Sequence, residues 1–430
     1  MKILVLSTFD IWPAKDGGQN RFVNIWSNFS ASFEITILVY DFRNQSISRS
    51  YKISNNVEVI LPKASAGDAG HFNYLMEKSG LWLHDVLCIN DYNFSLEFIQ
   101  ELTKQVHACD IIVASHPYLA NIAFPLAPRR VARVYESHNV EADIKRDYFK
   151  RSKHRAHIRS WITAVRQVER FAVQTSHLVT AVSNQDALRL KEIYDCSYKN
   201  ISVVPNGTNI INLPTISQED LTTLRQILDA GEGLVGVFLG SNFQANVESY
   251  KLSREMLDAA DFRGTMLIVG SIADADRSTW KEVNFSERWL GFVSSEVRDS
   301  VLVSSDFALH LMFSGAGTNL KLFDYMGSGL PIIANAFGRR GVDGSDWSLP
   351  ADSLEELKWS LAALRESAET VESRRDNARR IAVDRFDWHS IARRFEAELL
   401  KMYDPTSMRA ALDTYFGGPG GQRRLALHNF

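Results

Sequence analysis

Short runs of apolar residues, rich in valine, isoleucine and leucine, alternate with longer stretches of helical pattern in the first half of the chain. Such runs are typical of parallel strands that are buried on both faces and joined by crossover helices. We predict strands at Lys2–Ser7, Glu34–Tyr40, Asp110–Ala114, Val131–Glu136, Leu178–Val182 and Ile201–Val204. Helices are predicted near 18–31, 93–107, 141–175 and 184–194. The first half is therefore predicted to be a doubly wound α/β domain.

A second series of apolar runs predicts another doubly wound α/β domain. Its strands are expected at Leu234–Gly240, Thr265–Val269, Arg288–Leu290, Phe307–Phe313 and Pro331–Ala334. Between the two series, the turn-forming residues Pro205, Asn206, Gly207 and Pro214 suit an interdomain connection. We therefore place one Rossmann-like domain at 1–205 and a second at 206–385. An amphipathic helix and a glycine-rich tail, 386–430, are expected to pack back toward the first domain.

A small-residue turn follows the strand at 307–313, at the sheet edge where doubly wound folds bind ligands. The turn comprises Ser314, Gly315, Ala316, Gly317 and Thr318, and a helix is expected from about Asn319 to Met326. Glycines let the backbone approach an anion, and the free amides of a helix start favour phosphate. Lys321 can add positive charge there, and Asp324 can accept hydrogen bonds from ribose hydroxyls. A tight turn with a solvated lysine and aspartate is the alternative.

Composition and charge limit the possible functions. The chain has 430 residues, 45% of them hydrophobic and 23% charged, which is ordinary for a globular protein of two or three domains. Its net charge of −3 argues against a dedicated nucleic-acid binder. The cysteines stand alone without metal-ligand spacing and favour a reduced, cytoplasmic compartment. The first apolar run is shorter than a signal peptide requires, and no run of 18 apolar residues predicts a membrane span.

Five motifs follow one another in a specific order and spacing. They are MKILVLSTFDIWPAKDGGQNR, SHNVEAD, SVVPNG, VFLGSNFQANVES and RWLGFV. With the glycine-rich turn, they resemble the family 4 retaining glycosyltransferases over nearly the whole chain. The resemblance implies a GT-B fold, in which two Rossmann-like domains face an interdomain cleft. It also implies transfer from a nucleotide-sugar donor with retention, no metal, no cofactor and no protein nucleophile.

The chain departs from the family at four positions. The family commonly has two glutamates where this chain has Ala316 and Asp324, and an arginine and a lysine where it has Ser241 and Asn246. A branch of the family shares the glycine-rich turn with a lysine before the acidic residue. Lys321 is therefore expected to be the main phosphate cation and a catalytic residue. The donor-binding residues implied are Gly17, Gly18, Ser241, Asn246, Gly315, Ala316, Gly317, Thr318, Asn319 and Asp324.

The first domain supplies further candidates. Gly17 and Gly18 precede a helix, so their amides can face the donor phosphate, unless they form a plain loop. Arg21 is placed on the acceptor side, with a surface arginine as the alternative. The resemblance implies that His138 is catalytic and contacts the donor sugar or the reacting groups, although a lone histidine is more often structural. Glu136 and Glu141 flank His138, and either can orient its imidazole, bind the acceptor or cap the next helix; Glu141 is placed on the acceptor side.

We predict a hexosyltransferase-type glycosyltransferase of bacterial-type surface polysaccharide or glycoconjugate synthesis. The donor is a UDP- or GDP-sugar, and the acceptor is a glycan or a lipid-linked molecule. Residues 145–170 form a basic segment with interspersed aromatic residues, which predicts either contact with anionic lipid at the inner membrane face or a solvated basic surface. A nucleotide-sugar epimerase or hydrolase and a catalytically silent nucleotide-sugar-binding scaffold are the alternatives.

Overall fold

The computed structural model contains two α/β units, each built on a largely parallel sheet with helices on its faces. It describes residues 1–14, 17–43, 47–64, 66–89, 95–150, 152, 157–197, 199, 201–210, 216–231, 233–315 and 318–403. The predicted pair of doubly wound units is confirmed.

The first sheet has eight strands in the spatial order β3-β4-β2-β1-β5-β6-β7-β8. These are β1 (Lys2–Ser7), β2 (Glu34–Val39), β3 (Arg49–Ser54), β4 (Val57–Leu61), β5 (Ile111–Ser115), β6 (Ala132–Glu136), β7 (Leu178–Ala181) and β8 (Ile201–Val203). Only β3, at the edge, is antiparallel to its neighbour. The helices are α1 (Gly17–Ser27), α2 (Ala66–Ser79), α3 (His84–Leu87), α4 (Leu96–Ala108), α5 (Ala120–Leu126), α6 (Glu141–Phe149), α7 (Ile158–Thr175) and α8 (Asn184–Tyr194).

The second sheet has six parallel strands in the order β11-β10-β9-β12-β13-β14. These are β9 (Leu234–Leu239), β10 (Gly264–Val269), β11 (Ser286–Gly291), β12 (Phe307–His310), β13 (Ile332–Ala334) and β14 (Leu349–Pro350). Its helices are α9 (Gln218–Ile227), α10 (Gln244–Ala259), α11 (Ser295–Ser304), α12 (Leu320–Ser328), α13 (Leu354–Glu366) and α14 (Ala368–Ile381). The strand order reverses between β9 and β12, which makes a crevice at their carboxyl ends.

The chain passes between the two units twice. The first passage follows β8, and the second follows a π-helical turn at Ala382–Phe386. The passages meet at a parallel bridge between Thr208 and Asp387. After it, α15 (Trp388–Tyr403) returns to the first unit, where its Phe395 ring packs 5.6 Å from that of Trp26. The domain boundaries at 205/206 and 385/386 remain our proposal.

Two predicted elements differ in length from those observed. The helical pattern at 141–175 is split into α6 and α7, which fold against each other so that the rings of Phe149 and Trp161 lie 5.6 Å apart. One straight helix would leave both rings without a common core. The strand expected at 307–313 ends at His310, because the backbone beyond it pairs with a side chain and not with a neighbouring strand. The backbone amide of Met312 donates to Oδ1 of Asn335.

Candidate active site in the interdomain cleft

A cavity of about 730 Å³ lies between the two units, at the carboxyl ends of both sheets. It is lined by predicted residues from both halves of the chain, namely Gly17, Gly18, Arg21, His138, Ser241, Asn246, Gly315, Thr318, Asn319, Lys321 and Asp324. Ala316 and Gly317 lie outside the described residues. The structure therefore brings together eleven side chains or backbone positions that the sequence analysis had selected.

The glycine-rich turn leads from β12 into α12. Gly315 adopts a φ of 116°, a backbone region that favours glycine. The residue that precedes α12, Asn319, makes no side-chain hydrogen bond to the first amides of the helix. Thr318 is anchored from the other side of the cleft, because the amide group of Asn206 donates to its hydroxyl at 2.9 Å and to its carbonyl at 3.1 Å. The turn thus presents a helix start to the cavity, an arrangement that suits an anion.

Lys321 is a buried cation of this cavity, with 9% of its surface exposed. Its ammonium donates to Oδ1 of Asn246 at 2.8 Å and lies 4.0 Å from the centre of the Phe238 ring. Asn246 is itself held by Ser241, whose hydroxyl accepts from it at 3.0 Å. In the described chain, no carboxylate forms an ion pair with Lys321. Burial consequently lowers the pKa of Lys321 to about 7.

Asp324 lies one turn after Lys321 and also borders the cavity. Its Oδ1 accepts a hydrogen bond of 2.8 Å from the hydroxyl of Thr208, in the first passage between the units. Burial raises the pKa of this carboxyl above its usual value. Arg298 of α11 also lines the cavity. The sequence did not predict it as a site residue, because the only motif nearby, RWLGFV, lies before α11.

On the opposite wall, His138 follows β6 and is 6% exposed. Its Nε2 lies 2.9 Å from the hydroxyl of Ser115 and 3.4 Å from a carboxylate oxygen of Glu136, whereas Nδ1 has no hydrogen-bond partner among the described residues. Burial and the neighbouring His116 lower the pKa of His138 to about 3. The imidazole is therefore neutral near pH 7, with Nε2 oriented by Glu136 and Ser115 and Nδ1 available as a hydrogen-bond partner.

Arg21 is a buried residue and not the surface arginine of the predicted alternative, since it is 2% exposed. Its guanidinium donates to the carbonyls of Val204 and Pro205 at 3.0 and 2.9 Å, to Oδ1 of Asn206 at 3.0 Å and to Oε1 of Glu136 at 3.2 Å. Arg21 thus joins α1 and β6 to the first passage between the units. It also borders the cavity, and its acceptor-side role stays a prediction.

The two glutamates that flank His138 have different surroundings. Glu136 contacts His138, as one of the predicted alternatives has it. The cap of α6 comes from neither of them but from Glu169, whose carboxylate accepts from the amides of Glu141 and Ala142 at 2.9 and 2.8 Å. The Glu141 carboxylate instead accepts a hydrogen bond from the hydroxyl of Tyr118. It borders a second cavity beside the first one.

His116 is a site residue that the sequence analysis missed. It follows β5 directly, so its position after a buried strand was the available signal. It has a φ of 69°, which is uncommon for a residue other than glycine, and its ring lies 4.2 Å from that of His138. It lines both cavities. Strained backbone of this kind concentrates at functional sites.

Comparison with known proteins agrees with this architecture. Residues 56–210 match the family model of Glycosyltransferase Family 4. The match covers about a third of the chain, and this segment is similar to the family 4 glycosyltransferases. No curated protein matches the sequence.

Solved structures of similar fold cover almost all of this chain. HepE from Anabaena in complex with UDP-glucose has a TM-score of 0.62 and 16% identity, over 93% of this chain and 100% of that chain. The alpha,alpha-trehalose-phosphate synthase (UDP-forming) from Burkholderia vietnamiensis has a TM-score of 0.61 and 10% identity, over 93% and 100%. A trehalose-6-phosphate structure from E. coli bound with UDP-2-fluoro glucose has a TM-score of 0.60 and 11% identity, over 94% and 99%. The fold of this protein is therefore GT-B.

The basic segment of this protein is only partly exposed. The side chain of Lys145 is 15% exposed and pairs with Asp85 at 2.6 Å, and Trp161 is 8% exposed. Arg146 and Lys150 are exposed near the end of α6, and Arg159, Arg166 and Arg170 are exposed on α7. Arg151, Lys153 and Arg155 lie outside the described residues. In the part that is described, Lys145 does not belong to the exposed basic face, because it turns toward Asp85.

The described residues lack two features, a metal-binding cluster and a membrane-spanning helix. They contain no group of three or more His, Cys, Asp or Glu side chains arranged to hold a metal ion. None of their helices has both the length and the apolar character needed to cross a membrane.

Proposed function

We propose that this protein transfers a hexosyl group from a UDP-sugar to a hydroxyl group of a glycan or lipid-linked acceptor, with retention and without a metal. The observation that carries the proposal is Lys321, a buried ammonium without a carboxylate partner in the described chain, at the floor of the interdomain cavity. A buried cation is stable only when a neutralising group accompanies it, and a diphosphate supplies that charge.

The other residues of the cavity support the remaining parts of a nucleotide-sugar. The diphosphate would lie against the turn at Gly315 and Thr318 and the start of α12, facing Gly17 and Gly18 across the cleft. Asp324 would accept hydrogen bonds from the ribose. HepE, which has the same fold, has been solved with UDP-glucose, and this favours uracil and a hexose over other donors.

In the proposed reaction, the acceptor hydroxyl attacks the anomeric carbon from the side on which the diphosphate leaves. The bond between that carbon and the phosphate oxygen breaks, and a phosphate oxygen takes the proton of the acceptor. Negative charge grows on the diphosphate during this step. Lys321 and the α12 amides stabilise it, and they are already oriented toward it before the reaction begins. The neutral His138 and the adjacent His116 would position the hydroxyls of the reacting sugars.

A donor screen tests the proposal. We expect UDP-glucose to raise the melting temperature more than GDP-, ADP- or CMP-sugars, because a ligand stabilises the folded state in proportion to its binding free energy. Donor consumption is then measured with and without glycan acceptors. Consumption without any acceptor indicates a hydrolase or epimerase, and binding without consumption indicates a scaffold. No stabilisation by any of these nucleotides contradicts the proposal.

Donor binding is expected to weaken as the pH rises above about 7. Since burial lowers the pKa of Lys321 to about 7, the empty protein increasingly holds a neutral amine above that pH. The diphosphate favours the ammonium form of Lys321 and raises its pKa in the complex, so that binding takes up a proton. Above pH 7, each rise of one pH unit should therefore increase Kd by up to about tenfold. Calorimetric titration with UDP-glucose from pH 6 to 9, in buffers of different ionisation enthalpy, measures both quantities. A constant Kd from pH 7 to 9 would argue against this role of Lys321.

The exposed basic side chains of this segment are the candidates for a membrane contact. Arg146 and Lys150 near the end of α6 and Arg159, Arg166 and Arg170 on α7 have the charge to interact with anionic headgroups. This contact and an acceptor at the inner membrane face stay predictions, which sedimentation with anionic and neutral vesicles can test.

A further inference from the structure

A second cavity, of about 670 Å³, opens directly beside the donor cavity. The two share the lining residues His116, Asn139, Ile144, Phe243, Ala245 and Gly315. The second cavity extends from this shared wall along α6 and the loop before α3 on one side, and reaches Arg340 of the second unit on the other. A ligand in it would therefore adjoin both the two histidines and the donor loop.

Exposed aromatic side chains line this second cavity, Trp82 away from the donor cavity and Phe243 in the wall that the two cavities share. Trp82 is 49% exposed, although large apolar side chains are usually covered, and Phe243 is 48% exposed. The amide of Trp82 donates to the hydroxyl of Tyr148 at 2.8 Å, which fixes the position of both residues. Exposed flat rings at a cavity wall are suited to the apolar face of a ring-shaped ligand.

The charged residues of the second cavity are largely paired with one another. Lys145 pairs with Asp85 at 2.6 Å, and Arg189 and Arg146 pair with Asp143 at 2.7 and 3.0 Å. The guanidinium of Arg340 donates to the carbonyls of Phe337 at 3.1 Å and Gly315 at 3.4 Å. Each of these cations is therefore already occupied by protein groups.

Two carboxylates of the second cavity have no ion-pair partner in the described chain. Glu141 accepts from the hydroxyl of Tyr118, and Asp186 accepts from that of Ser183 at 2.7 Å. In total, the cavity is lined by five carboxylate residues and four cationic ones, Lys145, Arg146, Arg189 and Arg340. Carboxylates only accept hydrogen bonds when ionised, so they favour a ligand with many hydroxyl donors and disfavour a phosphate or a carboxylate.

We propose that the second cavity binds the acceptor, and that the part of the acceptor inside it is an uncharged carbohydrate. One sugar ring stacks on Trp82, and the hydroxyls of the sugar donate to Glu141 and Asp186. The acceptor hydroxyl then emerges at His116, where the two cavities meet. This inference rests on the proposed transferase function and adds the chemical class of the acceptor.

A glycan array tests the class of ligand. The full chain, loaded with UDP, is applied to uncharged gluco-, galacto- and manno-oligosaccharides printed beside phosphorylated and uronate-containing ones. We expect binding to one of the uncharged series. Binding only to the anionic glycans, or to none of the glycans, overturns the proposal.

Substitution of Trp82 tests the place of binding. With the best oligosaccharide as acceptor, Trp82→Ala should raise the acceptor KM about tenfold and leave the Kd for UDP-glucose unchanged, since stacking on the ring is lost. Trp359→Ala is the matched control, because Trp359 is 48% exposed on α13 and lines neither cavity. Equal acceptor KM values for both variants and the unaltered protein overturn the proposed place.

The outcomes separate the two proposals. If UDP-glucose neither binds nor is consumed, the proposed function fails. If UDP-glucose binds and its glucose is transferred, but Trp82→Ala behaves like Trp359→Ala or the acceptor is anionic, the function stands and the acceptor inference fails.

Discussion

Replacing Lys321 with alanine should lower kcat/KM for a UDP-sugar by about 10² to 10³-fold, the range seen when one preorganised group that stabilises developing charge is removed. The family's usual arginine and lysine are replaced here by Ser241 and Asn246, so the described cavity offers no equivalent cation beside Asn246. The donor Kd should rise as well, because the diphosphate loses its neutralising charge. Calorimetry and steady-state kinetics measure the two effects separately.

The control for this variant is Lys358→Ala, which removes an exposed lysine of α13 and should leave both constants unchanged. The melting temperature without donor distinguishes a lost contact from a lost fold. Since Lys321→Ala removes a charge that is costly to bury, this temperature should not fall. Unchanged donor affinity and turnover would remove the basis for the proposed phosphate site.

Arg21→Ala should lower the free energy of unfolding by about 3–5 kcal/mol, because it leaves the buried carboxylate of Glu136 without its charge partner. The carbonyls of Val204 and Pro205 lose a donor at the same time. Burial raises the pKa of Glu136, but His138, Arg21 and Ser115 together more than offset this and lower the pKa to about 2. Urea unfolding followed by circular dichroism measures the loss.

An exposed ion pair provides the comparison. Arg380 and Asp384 are 67% and 58% exposed and lie 3.7 Å apart, so Arg380→Ala should cost less than about 1 kcal/mol. The double variant Arg21→Met with Glu136→Gln should recover part of the loss, since no charge is then left buried alone. A cost for Arg21→Ala as small as that of the surface variant would contradict a stabilising role for the buried pair of Arg21 and Glu136.

The strands that surround the site could be predicted because the signal for them is local. A central parallel strand such as β5 is buried at every position and appears in the sequence as an unbroken apolar run. The hairpin of β3 and β4 was missed for the opposite reason. Strand β3 lies at the sheet edge, and its six residues show little alternation of apolar and polar side chains. They include Arg49 and Lys52, so the local sequence resembles that of a polar loop.

Site residues could be predicted where the local backbone pattern determines their position. They could not be predicted where contacts with side chains far away in the sequence determine it. Lys321 follows its turn by a few residues, so the turn, the helix start and the lysine form one local pattern. The burial of Arg21 depends on Glu136, 115 residues away, and that of Lys145 depends on Asp85, 60 residues away. Pairings across such separations leave no periodic trace in a single sequence.

The return of α15 to the first unit has a consequence for how the protein is made. Trp388, Ile391, Phe395 and Leu399 are buried in the same core as the strands of β1 and β2. The ribosome therefore synthesises one wall of that core only after the entire second unit. Domains usually fold in order of synthesis, but here the first unit must wait with an uncovered apolar face. A chaperone that covers this face during translation would therefore stay bound longest to the first unit, which is synthesised first.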